Sequence, residues 1–236
     1  MKANRRAALL ATILLLGWAG RASANVAVIG DFETGDLSGW SVFTTTHGWL
    51  GNGYPDVVLF DTTGDSTLSF AAAFSVGQTV WQTGPQGGGI FQSVGLLSGD
   101  LTITADIAAS NNIPHNNVQA GLFELLFDGV VVDSSDLGWI VPNSVGNDSL
   151  SATLSGVSAD FHEVRFRMTR PFLTFTNPRQ YIDNVVLSGS SVPPPIPEPS
   201  TFLLVLVGAS GLAAFRLRRW RSGTDPIRTG RDGQGW

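Results

Sequence analysis

Apolar and polar residues alternate along two stretches in the middle of the chain. In residues 101–107 every second residue is apolar, and threonines and an aspartate stand between them. Residues 163–168 show the same alternation. Because successive side chains of a β-strand point to opposite faces, this period of two predicts strands with one face in a core.

Two further stretches, residues 122–127 and 181–187, are apolar on both faces, as buried central strands are. Asp128-Gly129 follows the first of them and predicts a type I′ hairpin turn, whose two central residues need positive φ. More strands are predicted at residues 40–46, 57–60, 67–74 and 90–94. Residues 25–190 show no clean helical period over ten or more residues, so the sequence predicts an all-β fold, a single β-sandwich.

The first 24 residues have the three parts of a secretory signal peptide. Basic residues precede an apolar stretch at 7–19, and Ala22-Ser23-Ala24 is a small-x-small cleavage site. We expect export and cleavage after Ala24; the alternative is an uncleaved N-terminal anchor. The lack of cysteine agrees with export, because a domain of this size can form its core without disulfides.

After the domain at 25–190, the pattern predicts a Pro-rich linker at 191–200, a short transmembrane segment at 201–221 and a disordered tail at 222–236. The apolar part, residues 202–215, would reach about 21 Å as a helix, short of the ~30 Å hydrocarbon core. Snorkelling arginines and local thinning of the bilayer still allow a marginal span. The alternative is a buried core helix.

A basic cluster ends this segment and places the C-terminus in the cytoplasm by the positive-inside rule. The cluster consists of Arg216, Arg218, Arg219 and Arg221. These four arginines are therefore predicted to act as the membrane stop.

Pro197, Glu198 and Pro199 precede the apolar segment. The motif, the apolar segment and the arginine cluster, in this order, resemble the PEP-CTERM sorting signal of Gram-negative envelope proteins. The resemblance implies an inner-membrane anchor, a partner of the exosortase type that cuts at the motif, and release of the domain to the cell surface or extracellular matrix. In that family the signal ends soon after the arginines, whereas this chain continues to Trp236.

Charge is unevenly distributed along the chain. Residues 26–189 contain four arginines, no lysine and sixteen acidic residues, which gives a formal net charge of −12. Such a surface argues against nucleic acid and anionic lipid as partners, and it suits divalent cations or neutral glycans better. The alternative is that the charge serves solubility alone.

Three short motifs mark the beginning, middle and end of the domain. Residues 30–35 read Gly-Asp-Phe-Glu-Thr-Gly and lead to Gly39-Trp40, residues 89–94 read Gly-Ile-Phe-Gln-Ser-Val, and residues 181–185 read Tyr-Ile-Asp-Asn-Val. Together they resemble the jelly-roll, galactose-binding-like family that includes many carbohydrate-binding modules. The resemblance implies a jelly-roll sandwich.

The same resemblance implies a structural calcium ion between the first and last strands. Its ligands would be Glu33 and Asp183, with Asp31 as a further candidate; Asn184 replaces the second of two acids often found in the closing strand. Calcium takes six to eight oxygen ligands, including backbone carbonyls, so a few carboxylates at one rim suffice. The alternative is that Glu33 and Asp183 only cap turns.

Aromatic residues in Gly-rich connections are the candidates for ligand contact. They are Trp49, Tyr54, Trp81 and Trp139. An indole offers a flat apolar face and one N–H donor, which suits the C–H face of a sugar ring. The alternative is packing in the core or at the sandwich edge, which we expect for Trp40 because it directly precedes a strand.

Catalytic patterns are absent from the sequence. The three histidines lack zinc-site spacing, and neither a G-x-S-x-G elbow nor a phosphate-binding loop is present. We therefore expect a non-enzymatic, exported protein that binds glycan. One alternative is a hydrolase acting on matrix polysaccharide, for which two carboxylates need only meet in space. The other is a structural matrix or adhesion protein without a small ligand.

Overall fold

Fifteen β-strands account for most of the residues that the structure describes. The structure, a computed structural model, describes residues 25–173 and 178–193. The strands are β1 (Asn25–Gly30), β2 (Ser41–Thr44), β3 (Gly48–Trp49), β4 (Asp56–Phe60), β5 (Ser69–Phe74), β6 (Gly77–Gln78), β7 (Gln86–Gly95), β8 (Gly99–Asn111), β9 (Val118–Gln119), β10 (Leu122–Phe127), β11 (Val130–Asp136), β12 (Trp139–Ile140), β13 (Ser144–Val157), β14 (Phe161–Arg170) and β15 (Arg179–Gly189).

Two antiparallel sheets contain the longer strands. Sheet A has the order β13-β8-β15-β5-β4, and β1 also pairs with β15. Sheet B has the order β11-β10-β14-β7-β2. Two short ribbons, β3 with β6 and β9 with β12, lie in the connections between longer strands. The chain is thus an all-β jelly-roll sandwich, and the fold class predicted from the sequence is confirmed.

The core lies between the inner faces of the two sheets. In sheet A, β8 contributes Leu101, Ile103 and Ile107; in sheet B, β14 contributes Phe166 and Met168. Each buried side chain of this size stabilises the fold by about 1.5–3 kcal/mol relative to an exposed one. The predicted period of two in both strands is confirmed, because their apolar positions all point into this core.

The hairpin between β10 and β11 has the predicted turn. Asp128 has a φ of 49° and Gly129 a φ of 80°, so both central residues lie in the left-handed region, as type I′ requires. The prediction for β10 is also confirmed, because β10 pairs with both β11 and β14.

Trp40 lies in the core, as predicted. Its ring contacts those of Phe32 and Phe166, with centroids 6.2 Å and 5.9 Å away. Its indole N–H donates to the carbonyl oxygen of Ile29 over 2.9 Å, so the one polar atom of the buried side chain is paired. The residue connects the start of the domain to sheet B.

Strand β7 is longer than the sequence pattern predicts. Its apolar alternation begins at Ile90, but the strand begins at Gln86 and includes three glycines, Gly87, Gly88 and Gly89. A Cβ atom on Gly89 would collide with the backbone carbonyl oxygen of Phe166 on β14. These positions require glycine because the backbone of a neighbouring strand approaches closely. Such a requirement leaves no hydrophobic pattern in the sequence.

The sorting-signal predictions concern residues outside the described part of the chain. The signal peptide at 1–24, the motif at 197–199, the segment at 201–221 with its arginines, and the tail at 222–236 all lie there. Within residues 25–173 and 178–193, no helix is long and apolar enough to cross a membrane.

Five connections meet at one end of the sandwich. Each of them joins a longer strand of one sheet to a longer strand of the other, and antiparallel pairing brings these strand ends to the same end of each sheet. The described residues at this end are 45–55, 75–85, 112–121, 137–143 and 171–173. We call it the tryptophan end, because Trp49, Trp81 and Trp139 all belong to these connections.

Candidate functional site

Three large apolar side chains at the tryptophan end face solvent. Trp49 on β3 is 48% exposed, Trp81 in the connection after β6 is 56% exposed, and Trp139 on β12 is 62% exposed. Burying an indole is normally favourable, so the three exposed indoles make this end the candidate binding surface. The sequence prediction named these three residues, and the fold places them at the same end.

Contacts through Gln78 connect the three tryptophans. Gln78 on β6 pairs with Gly48, next to Trp49, and its connection continues to Trp81. The backbone N–H of Gln78 donates to the carbonyl oxygen of Phe172 over 2.7 Å. The Phe172 ring in turn meets the Trp139 ring edge-on, with centroids 5.6 Å apart.

Asn111 holds the part of this end that carries Trp139. It is fully buried at the end of β8, where its amide group donates to the carbonyl oxygens of Asn116 and Ile140 over 2.8 Å and 3.0 Å. Its side-chain oxygen accepts from the N–H of Ile113 over 2.9 Å. One buried side chain thus orients β12, and with it Trp139, in the absence of ligand.

Gln180 joins two of the connections at the same end. The residue is fully buried on β15, and its amide nitrogen donates to the carbonyl oxygen of Ala120 over 2.7 Å. Its side-chain oxygen accepts from the N–H of Val76 over 3.1 Å. The connections that follow β5 and β8 are therefore held together from beneath.

Arg170 is a buried cation at this end. Its side chain leaves the last position of β14 and is only 3% exposed. One guanidinium nitrogen donates to the carbonyl oxygen of Val76 over 3.2 Å, and the group lies 5.8 Å from the centroid of the Phe172 ring. Burial lowers the pKa of Arg170 to about 10, so the side chain remains charged at neutral pH.

Tyr54 differs from the three tryptophans. It is half-buried, packs partly against the core, and has the Arg179 guanidinium 6.0 Å from its ring centroid. A cation over a ring face is attracted to it, which leaves less of that face for a sugar. Tyr54 remains a candidate at the border of the surface.

Charge at the tryptophan end differs from that of the whole domain. None of its connections contains an acidic residue, and Asp56 and Asp136 stand only at the strand ends that border them. The remaining connections carry Asp31, Glu33, Asp36, Asp61, Asp65, Asp128 and Asp160. The tryptophan end therefore lacks the negative charge that the composition suggests.

The predicted calcium ligands lie away from this end. Asp183 is fully buried on β15, and its carboxylate accepts from the hydroxyl of Ser69 over 2.5 Å and from the N–H of Asn184 over 2.7 Å. Glu33 accepts from the N–H of Phe70 over 3.0 Å, so it ties its connection to β5.

Asp31 makes a more local contact, since its carboxylate accepts from the N–H of Glu33 over 3.3 Å. In the described residues, no group of three or more His, Cys, Asp or Glu side chains is placed to hold a metal ion together. The calcium site stays a prediction.

Asp106 is an acidic neighbour that sequence reasoning missed. It lies directly opposite Asp183 in the pairing of β8 with β15, and it accepts from the amide of Asn184 over 2.8 Å. Burial raises the pKa of Asp183, and the charges of Asp106 and Glu33 raise it further. No periodicity signals such a pair, because strand register alone brings it together.

A cavity of about 270 Å³ lies beside Asp106, on the face of sheet A that points away from the core. It is lined by Thr62, Thr63, Asp106, Asn147, Asp148 and Ser149. None of these side chains is aromatic, so the cavity offers hydrogen bonds without a stacking surface.

His162 has neighbours that resemble a catalytic triad. Its Nδ1 lies 2.7 Å from a carboxylate oxygen of Asp128, and its Nε2 lies 3.5 Å from the Ser158 hydroxyl. However, Nε2 is nearer, at 3.0 Å, to the carbonyl oxygen of Ser158, which can only accept. Nε2 must then donate, so it is not free to take a proton from the hydroxyl.

Fold and surface together define an all-β sandwich with an aromatic end. Among solved structures, a cyclase from Fischerella sp. TAU is similar: 14% identical, covering 72% of this chain and 100% of its own, with a TM-score of 0.41. TmCBM61, solved with beta-1,4-galactotriose, is 15% identical and covers 67% and 93%, with a TM-score of 0.37. The CBM22-1 xylan-binding domain from Paenibacillus barcinonensis Xyn10C is 10% identical and covers 73% and 100%, with a TM-score of 0.38.

No protein-family model matches this chain, and no curated protein matches it. The fold assignment rests on the strand pairing described above.

Sequence reasoning also missed Gln78, Arg170 and Phe172. Arg165 and Arg167 lie two residues apart and share the outer face of β14. Arg170 lies three residues after Arg167, so it falls on the inner face. A count of strand positions would have found this parity. Nothing in the local sequence indicates that Gln78 and Phe172 meet.

Proposed function

We propose that this protein is an exported glycan-binding β-sandwich, and that the tryptophan end is its binding surface. The observation that carries the proposal is the exposure of Trp49, Trp81 and Trp139 at one end of the fold. Indole faces stack on the C–H face of a pyranose, while hydrogen-bonding groups between them select hydroxyl positions. Gln78 and Gln119 lie on the strands that pair with those of Trp49 and Trp139, and their amides are candidates for such groups.

The preorganised scaffold supports binding rather than loose exposure of the indoles. Asn111 and Gln180 are fully buried, and their side-chain amides donate hydrogen bonds to the connections that carry or border the tryptophans. A surface held in place before binding loses less conformational entropy when a ligand arrives. The same residues would be unnecessary in a connection that serves only as a link.

A non-enzymatic role is part of the proposal. The acid pair that a hydrolase would need exists in Asp106 and Asp183, but Asp183 is fully buried beneath Thr62 and Ser69. A general acid must touch the glycosidic oxygen, and both carboxylate oxygens of Asp183 are already engaged by Thr62, Ser69 and the backbone of Asn184. His162, the other candidate, has both ring nitrogens engaged.

Display outside the cell completes the proposal. We infer from the sequence that the chain is exported, held at the inner membrane by residues 201–221, and cut near Pro197, Glu198 and Pro199 by a protease of the exosortase type. The β-sandwich would then reach the surface or the exopolysaccharide matrix of a Gram-negative bacterium. A glycan-binding module in that location would hold matrix polysaccharide.

Alanine substitutions on full-length protein in detergent test the binding surface. A glycan array first identifies a glycan that the wild-type protein binds. The variants Trp49→Ala, Trp81→Ala and Trp139→Ala are then compared with wild type. We expect at least one of them to weaken binding tenfold or more, about 1.4 kcal/mol, with an almost unchanged melting temperature.

Trp40→Ala is the matched control, because this core tryptophan should cost about 3–5 kcal/mol of stability. If no glycan binds, or if all three surface variants bind like wild type, the tryptophan end is not a glycan site.

A further inference from the structure

Arg170 carries a buried positive charge that has no counter-ion among residues 25–173 and 178–193. Among the described residues, no carboxylate forms an ion pair with it, whereas Arg165 and Arg167 on the same strand pair with Glu163 and Glu124. Its Nε atom is buried and has no hydrogen-bond partner within the part of the chain that the structure describes. A buried cation normally has an anionic partner, because removing it from water is costly.

A second buried group at the same place also lacks a partner. Gln78 is only 2% exposed; its amide nitrogen donates to the carbonyl oxygen of Gly84 over 2.7 Å, but its side-chain oxygen has no donor among the described residues. Gln78 and Arg170 both border Phe172, one by a backbone hydrogen bond and the other over its ring. Around Phe172, the described residues therefore include an unused cationic donor and an unused neutral acceptor.

A sugar acid complements this pair of groups. Its carboxylate can accept two hydrogen bonds from a guanidinium, and a ring hydroxyl beside it can donate to an amide oxygen. A neutral sugar supplies the hydroxyl but leaves the cation without a counter-charge. A simple anion supplies the charge but leaves the amide oxygen without a donor.

The surroundings of Arg170 favour an anion despite the acidic domain. The connections of the tryptophan end contain no acidic residue, and Arg179, which is exposed, lies at this end too. Charges more than about 8–10 Å away are screened at physiological salt, so the distant acids weaken binding little. Arg170 and Arg179 stand there against Asp56 and Asp136 at its border, so this end lacks the strong negative charge of the domain.

We propose that the glycan bound at the tryptophan end is a uronic-acid polysaccharide, with one uronate carboxylate held by Arg170 and a neighbouring hydroxyl by Gln78. This inference rests on the proposed function and names its ligand class. The indoles stack on the sugar rings, and Arg170 supplies the selectivity for the acid form.

Wild-type protein alone gives the first test. Full-length protein in detergent is titrated calorimetrically with α-1,4-tetragalacturonate and with the same tetramer after reduction of its carboxyl groups to primary alcohols. We expect the acid to bind at least tenfold more tightly, with an advantage that shrinks as salt is raised. Equal binding, or tighter binding of the reduced tetramer, overturns the inference.

Variants of Arg170 give the second test. Arg170→Lys keeps the charge but loses the planar fork, and Arg170→Met removes the charge; both should reduce the preference for the acid tetramer. Arg165→Met is the matched control on the same strand, because that arginine pairs with Glu163 on the other face, and it should leave the preference unchanged. If Arg170→Met fails to fold, Arg170→Lys decides, and an unchanged preference in that variant contradicts the role of Arg170.

The two proposals fail in different ways. If neither tetramer binds but another glycan binds through the tryptophans, the proposed function stands and the uronate inference is wrong. If no glycan on the array binds, both are wrong.

Discussion

Asp183 belongs to the closing-strand motif, and its surroundings bear directly on its predicted role as a calcium ligand. The closing-strand motif predicts a calcium ligand, yet both oxygens of this carboxylate already accept hydrogen bonds from Thr62, Ser69 and the backbone of Asn184. Asp106 stands opposite, and like charges across a strand pair are unfavourable. The buried negative charge of Asp183 is therefore unfavourable, and either a bound cation or a neutral side chain at this position would remove the repulsion.

Thermal melts of Asp183→Asn test both the cost of this buried charge and the predicted calcium site. In EDTA at neutral pH we expect the variant to melt a few degrees above wild type, because the buried charge is removed; a change of 1 kcal/mol moves the melting temperature of a domain of this size by about 2–4 °C. If calcium binds as the motif implies, it raises the wild-type stability by about 2.7 kcal/mol at one hundred times Kd.

The variant should not respond to calcium, while Asp160→Asn, on an exposed turn, should respond as wild type does. Coincident wild-type melts in calcium and in EDTA would end the calcium hypothesis. A variant that melts below wild type would show that the buried carboxylate is stabilising.

At the scale of elements, His162 links two turns. It is the second residue of β14, and its ring nitrogens reach Asp128 in the β10–β11 turn and the backbone of Ser158 after β13. Its ring also stacks on Phe127, with centroids 5.0 Å apart. Both partners accept hydrogen bonds, so the protonated ring satisfies both contacts at once.

The stability of this link should depend on pH. The hydrogen bond to Asp128 raises the pKa of His162 above its ordinary value of 6.5, and the nearby charge of Asp160 acts in the same direction. The stabilisation is complete below the unfolded-state pKa of about 6.5 and is lost as pH rises through the higher folded-state pKa. The melting temperature of wild type should therefore fall as pH is raised above about 6.5.

His162→Gln should melt lower than wild type at pH 6 and lose this dependence, because the amide does not titrate. His115→Gln, in the connection between β8 and β9, is the matched control and should keep it. A variant at residue 162 that retains the full wild-type dependence would assign the effect to another group.

At the scale of the whole molecule, the sandwich separates its functions in space. A polar cavity lies on the outer face of sheet A, and seven acidic residues lie in the connections that do not carry the tryptophans. The indoles, Arg170 and Arg179 lie at the tryptophan end. A whole-chain charge describes neither region, because a ligand experiences the charges within about one Debye length of its site.

The sorting proposal also concerns the whole chain, and fractionation tests it. Tags are placed before Ser191 and after Trp236 in a host that carries the cognate protease. Replacing Pro197 and Glu198 by alanine should leave the chain in the membrane but uncut, because the extended, Pro-stiffened peptide that a protease can engage is lost.

Neutralising Arg216, Arg218, Arg219 and Arg221 should instead weaken retention or orientation. If the upstream tag leaves the membrane equally well with the motif destroyed, the sorting proposal is wrong.

The sequence by itself determined the local structure of the domain. Strands β8 and β14 follow from their period of two, β10 and β15 from apolar runs, and the β10–β11 turn from Asp128 and Gly129. Each of these signals depends on neighbours within a few residues, where the alternation of side chains in a strand leaves a direct trace. The exposed tryptophans could also be named, because Gly-rich connections do not bury them.

Only the tertiary structure decided which of these residues meet. Asn184 and Asp106, which share a hydrogen bond, are 78 positions apart in the chain, and Arg170 reaches Val76 across 94 positions. Strand order and register set such contacts, and a register change of one residue would move every side chain of a strand to the other face. The charge of the tryptophan end and the burial of Arg170 and Asp183 therefore follow from how the sheets pair and pack, because no local pattern encodes which connections lie side by side.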